Sequence, residues 1–231
     1  GSVTCGTTHN SQFLGAMFSY IRTSDMKDYV QRLEEYLSRF VAEAPTFGAC
    51  SPEMMKRFMT YDDIFGDNNE IEIAHTRNNP ALTPLGLYDY MIRSAEKIMG
   101  EFENVQDKLR KLQYAQYECV RNSLELYRRN KWFSSGILFW QLNDCWPTYG
   151  SWSLIDFYNF PKAAYYAFKR SAKGVIVSMK REHGKFRVYL CNDTLADTSG
   201  KMTLRKVDKS SVIKEWTCDY ACCANESTVV F

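Results

Sequence analysis

Two stretches of the sequence carry side chains able to do chemistry. Glu43 follows the short apolar run Phe40-Val41-Ala42, and Trp140, Gln141, Asn143, Asp144 and Trp146 close the run Ile137-Leu138-Phe139. A carboxylate at a strand end can attack an anomeric carbon, opposite a second, protonated carboxyl group about 5 to 5.5 Å away. Indole faces beside amides suit the apolar face and the hydroxyls of a sugar, so carbohydrate is the substrate class these residue types suggest. Spacing alone does not decide. A solvated or ion-paired glutamate is the commoner occupant of a strand end. Tryptophans more often pack cores and loops, and Asp144 ahead of Cys145-Trp146-Pro147 can simply cap a turn. His9 and His75 each stand without an acid or thiol at motif spacing.

The elements that must position these groups follow from periodicity. Ser24-Asp25 opens a helix in which Tyr29, Leu33, Tyr36, Leu37 and Phe40 recur at helical intervals. Phe40-Val41-Ala42 then reads as a brief strand, and Glu43-Ala44-Pro45 as the loop leaving it. Ser51-Pro52-Glu53 starts another helix, with serine at the cap and proline at the first turn. Residues 61–84, rich in Asp, Asn and Pro, read as one long loop holding His75 and Arg77. A helical stretch between about 87 and 129 ends on Arg128-Arg129, where cations suit the helix dipole. The strand into Trp140 comes next, followed by a short helix over Pro161 to Arg170.

From Gly174 the texture changes to short β-rich runs, VIVSM, KFRVYLCN, KMTLRKV and SVIKEWTC, separated by turn signals. The strand–loop–helix alternation before it is the grammar of parallel α/β architecture. In a (β/α)8 barrel of about 250 residues the chemistry stands at the C-terminal strand ends. The expected fold class is therefore α/β: residues 1–172 as the C-terminal portion of a (β/α)8 TIM barrel, and residues 173–231 as a truncated all-β immunoglobulin-like sandwich. With only about four strands, the sandwich is expected to be cut off at Phe231.

Composition bounds the rest. The 231 residues are 45% hydrophobic, enough to bury a core, and 29 basic against 27 acidic side chains leave a mixed charge of +2. No footprint for nucleic acid or anionic lipid stands out. No apolar run approaches the roughly 20 residues that span a bilayer. The first residues lack signal-peptide regions, but an internal fragment would carry none, so localisation stays open. The eight cysteines lack paired CxxC spacing, which argues against a metal site; near the C-terminus, free thiols and one local disulfide are both open. No cofactor is expected, and oligomeric state is not legible. The sequons at Asn192 and Asn225 matter only if the protein is secreted.

Residues 132–170, WFSSGILFWQLNDCWPTYGSWSLIDFYNFPKAAYYAFKR, resemble glycoside hydrolase family 2 and, within it, the β-mannosidases. WQLND-x-WP, SWS-x-ID and KAAYYAFKR in that order carry the likeness. Upstream, QYECVRNSLELYRR resembles the helix before that strand, and RFVAEAPTFG resembles the nucleophile segment, usually RFVSEFG. The likeness runs unevenly over roughly residues 6–175.

The resemblance implies part of a retaining, exo-acting β-mannosidase, with Glu43 as nucleophile and Trp140 lining the subsite of the cleaved sugar. Gln141, Asn143, Asp144 and Trp146 would bind hydroxyls or support that pocket. His9, in GTTHN, matches the histidine of a GD-x-H-x-W segment, and His75 a loop histidine after the nucleophile. The sequence departs from the pattern where Ala44 and Pro45 follow Glu43 and where no tryptophan follows His9. The family's acid/base, the glutamate of an Asn-Glu pair on an earlier strand, has no counterpart: Asn69-Glu70 follows the nucleophile and Asn225-Glu226 lies in the sandwich. Its loss removes roughly 10²–10⁴-fold of catalysis, so this segment alone is expected to be inactive. Open alternatives are a family 2 relative acting on a β-glucosaminide or β-galactoside, and a non-catalytic carbohydrate-binding module.

Overall fold

A computed structural model describes residues 25–35, 37–76 and 86–231. Helix α1 (Met26–Glu35) buries Tyr29 and Leu33, the inward members of its stripe. Strand β1 (Phe40–Pro45) runs through Glu43 rather than stopping before it. It carries a bulge: Val41 aligns with Ile137 and Ala44 with Phe139, so Ala42 and Glu43 stand against Leu138 alone. A two-residue strand, β2 (Gly48–Ala49), follows.

The expected long loop over 61–84 is partly helical. After α2 (Pro52–Met55) come α3 (Tyr61–Phe65) and α4 (Glu70–Ala74). Thr60 and Asp63 close a reciprocal capping box that starts α3, so these polar residues serve as helix caps rather than as loop. The helical stretch expected between about 87 and 129 consists of two helices, α5 (Gly86–Met99) and α6 (Val105–Arg129). They part at Gly100, whose φ of 84° is the left-handed stop that glycine tolerates. Asn104 caps α6 by accepting the Asp107 amide at 2.9 Å.

Helix α6 organises the core. Cys119, Leu126 and Tyr127 join Val41 and Ala44 of β1. Leu109, Leu112 and Ala115 join Met91 and Ala95 of α5. Val120 and Leu124 meet Ala164 and Ala167 of α7 (Ala163–Ser171). Strand β3 (Gly136–Trp140) pairs in parallel with β1, and β4 (Gly150–Ser151) pairs antiparallel with β2.

The C-terminal part is wholly antiparallel. Strands β5 (Val175–Glu182), β6 (Lys185–Asn192) and β9 (Glu226–Val229) form one sheet, and β7 (Thr198–Asp208) with β8 (Ser211–Cys222) forms a hairpin. β9 is a strand beyond the four the sequence suggested. Cys218, Cys222 and Cys223 are free thiols rather than a local disulfide.

Arg128 and Arg129 do more than complement a helix dipole. Arg128 donates to the carbonyls of Ser171, Lys173, Gly174 and Cys191, tying α6 to the start of the antiparallel part. Arg129 donates to Ser178 Oγ on β5, and that hydroxyl donates to Glu125. Burial of Arg129 lowers its pKa, and the carboxylates of Glu125 and Glu34 oppose that shift.

No described helix is long and apolar enough to cross a membrane.

Candidate active site

The site is built on β1 and β3. Val41 and Ala44 are buried in the helix-side core, with Ile137 and Phe139 packed against it. Strand alternation along β3 then assigns Leu138 and Trp140 to the opposite face, while Glu43 sits in the β1 bulge beside Ala44. Leu138 is 55% and Trp140 45% exposed there, and Glu43 is half-buried. The register sets Pro45 opposite Trp140, so Glu43, two residues before the end of β1, and Trp140, the last residue of β3, lie toward the same C-terminal end of two neighbouring parallel strands. Trp140 joins Gln141 through a cis peptide bond.

The chain beyond each strand is pinned by a buried polar network. Asp144, 2% exposed, accepts hydroxyl hydrogen bonds at Oδ2 from Thr148 (3.1 Å), Ser151 (3.0 Å) and Ser153 (2.6 Å). The Lys162 ammonium lies 3.4 Å from the same oxygen and donates to Ser151 Oγ at 2.8 Å. Of the two roles expected for Asp144, binding hydroxyls or supporting the pocket, this geometry suits support: the carboxylate is buried and accepts from the hydroxyls of residues 148, 151 and 153. Removing a charge from water is costly unless it is paired and hydrogen-bonded, and both conditions hold here.

His75 and Trp146 come together. Their rings stack at 5.9 Å, and His75 Nδ1 sits 3.1 Å from the Pro147 carbonyl. Phe58 also packs against the imidazole, its ring centroid 4.9 Å away and tilted by 43°. Asn143 is exposed and donates to the Asp144 carbonyl at 3.2 Å; Gln141 is half-buried, and its carbonyl accepts the Leu154 amide. His9 lies outside the described residues. Asn69 stands at the start of α4 and Asn225 in a turn between β8 and β9, away from the strand ends.

Cys50, just beyond β2, is no rival nucleophile. Burial pushes its thiol up to about 12, and Sγ donates to the Thr148 carbonyl at 3.1 Å. Among the described residues no group of three or more His, Cys, Asp or Glu could hold a metal ion.

No family model matches the chain. It is 38% identical over 95 residues to Beta-mannosidase B of Aspergillus niger, which is 35% of this chain and 11% of that protein. To Beta-mannosidase B of Emericella nidulans it is 36% identical over 83 residues, 30% of this chain and 10% of that protein. The solved β-D-mannosidase of Dictyoglomus thermophilum aligns at a TM-score of 0.72 and 25% identity, over 87% of this chain and 24% of that one. The chain resembles the β-mannosidases of glycoside hydrolase family 2. The exo-chitosanase CsxA of Amycolatopsis orientalis shares the fold at a TM-score of 0.67 and 22% identity, over 83% of this chain and 23% of that one. The chain thus spans about a tenth of the curated β-mannosidases it matches and about a quarter of the solved one.

In this β-mannosidase-like chain three buried groups escaped the sequence reading: Lys162, Gln116 and Glu72. Lys162 sits inside the KAAYYAFKR stretch, where a lysine gives no local sign of burial. Gln116 had a visible signal: it falls between Leu112 and Val120 on the buried stripe of α6, where a polar residue needs partners. Glu72, 2% exposed, accepts from Lys108 Nζ at 2.8 Å and from the Tyr88 hydroxyl at 2.5 Å. Burial raises the Tyr88 and Tyr149 hydroxyls, and the Glu72 carboxylate raises both further, so this cluster keeps its tyrosines protonated.

Proposed function

We propose that the chain is part of a retaining, exo-acting β-mannosidase that hydrolyses terminal β-D-mannosides through a glycosyl-enzyme intermediate. Residues 1–172 belong to its (β/α)8 catalytic barrel and residues 173–231 to the immunoglobulin-like sandwich that follows. Glu43 is the nucleophile. Trp140, Gln141, Asn143, Trp146, His75 and His9 line the sugar pocket, and Asp144 holds its loop in place. The acid/base lies elsewhere in the parent protein, so this chain by itself is inactive.

One observation carries the reading: Glu43, two residues before the end of β1, and Trp140, which ends β3, lie toward the C-terminal end of adjacent parallel strands, where a barrel sets its chemistry. Parallel sheets are normally covered on both faces. The exposed Leu138 and Trp140 face of a two-stranded parallel sheet is what a slice of a barrel presents.

The test is hydrolysis of aryl β-mannoside, β-glucosaminide, β-galactoside and β-glucoside by the intact parent, with and without Glu43→Gln. Mannoside turnover that disappears with the substitution supports the reading. Turnover of another sugar alone keeps the mechanism and replaces the substrate. Activity that survives Glu43→Gln removes Glu43 as nucleophile, and binding without any turnover favours a non-catalytic module.

A further inference from the structure

We propose that Gln116 is a positioning residue for the glycosylation step: its amide fixes the chain beyond Glu43 to the chain beyond Trp140. This rests on the β-mannosidase reading above. Gln116 is 1% exposed and sits on α6, outside both strands. Its Nε2 lies 3.3 Å from the Thr46 carbonyl, 3.4 Å from Thr46 Oγ1 and 3.1 Å from the Ser153 carbonyl. Thr46 is three residues after Glu43, and Ser153 belongs to the Asp144-bound segment after Trp140. One amide therefore bridges the two site-forming segments, which also meet through the short β2–β4 ladder, the Cys50 hydrogen bonds to the Thr148 and Tyr149 carbonyls and the Phe47–Trp152 ring contact.

The contact is built into the chain on both sides. A Cβ added at Gly48 would come within 2.4 Å of Gln116 Oε1 and 2.6 Å of its Cβ, closer than side chains pack. Glycine at 48 is what lets the glutamine lie against the strand. No polar group of Gln116 reaches the open face, so it acts through the strand ends and not on the sugar. A nucleophile displaced by a fraction of an ångström loses rate out of proportion to binding.

The test uses the intact parent protein and steady-state hydrolysis of an aryl β-mannoside, read beside the thermal midpoint. Gln116→Met keeps length and shape but removes the donors; kcat is expected to fall about 10- to 100-fold with KM little changed. Gln116→Glu carries no donor while ionised and one when protonated. Burial between two carbonyls raises that carboxyl's titration above the ordinary carboxylate range, so its kcat relative to the unsubstituted protein is expected to be highest while the carboxyl is protonated and to fall toward that of the Met variant as pH rises through the titration. Gly48→Ala, which crowds the same amide, is expected to lower kcat in the same direction.

A folded Gln116→Met protein with unchanged kcat overturns the proposal, as does a Gln116→Glu activity ratio that is flat with pH. Either result in a protein whose mannoside turnover still depends on Glu43 leaves the β-mannosidase reading standing. An unsubstituted parent that cleaves no β-glycoside sinks both.

Discussion

Two cation–carboxylate pairs mark the two halves of this molecule. Lys162 and Asp144 meet under the site loops with side chains 1% and 0% exposed, whereas Arg205 and Glu215 face each other across the β7–β8 hairpin at 58% and 46%. Their distances run opposite to their importance: 3.4 Å for the buried pair and 2.6 Å for the exposed one. In water the exposed pair is screened and trades one set of hydrogen bonds for another. Under the loops, the lysine and three hydroxyls are among the partners the Asp144 carboxylate has in place of solvent. The β-hairpin is held by local pairing and tolerates change; the site is held by a few buried polar groups and does not.

That contrast is breakable by mutation. Lys162→Met leaves a buried carboxylate without its cation and is expected to cost about 3–5 kcal/mol, read from denaturant unfolding. A loss near that of an exposed pair would show that water reaches Asp144. Gly48→Ala should cost about 1–3 kcal/mol, because the new Cβ overlaps Gln116; neutrality would mean the glutamine swings aside. Asn104→Ala removes the α6 cap and should cost about 1 kcal/mol by the same measurement. Arg205→Ala should change stability by no more than about 0.2–1 kcal/mol, and a larger loss would make the hairpin pair as important as the buried one.

The same contrast governs what was legible in the sequence. β5 to β8 were readable because strand alternation and turn residues such as His183-Gly184, with φ of 48° and 79°, are local signals. β9 was missed, being only four residues long. Around the site, Glu43 and Trp140 could be singled out from the ends of short apolar runs, and the parallel pairing sets Pro45, two residues after Glu43, opposite Trp140. The groups that hold them were not legible, because their partners lie far along the chain: Gln116 reaches Thr46 across 70 residues and Ser153 across 37. For Asp144 the sequence left turn capping, pocket support and hydroxyl binding open, since nothing in Asn-Asp-Cys-Trp-Pro tells whether a carboxylate faces solvent or its own loop. Arg128 and Arg129 were read as a helix-end charge, and their reach into β5 and β6 depends on how the two halves pack.

The central claim is that Glu43 forms a covalent bond to mannose, and covalent trapping tests it most directly. The intact parent protein is incubated with 2-deoxy-2-fluoro-mannosyl fluoride, and the labelled peptide is located by mass spectrometry. A mannosyl adduct on Glu43, accumulating as activity is lost, is the expected result. An adduct on another carboxylate, or persistent turnover with no adduct at Glu43, contradicts the account.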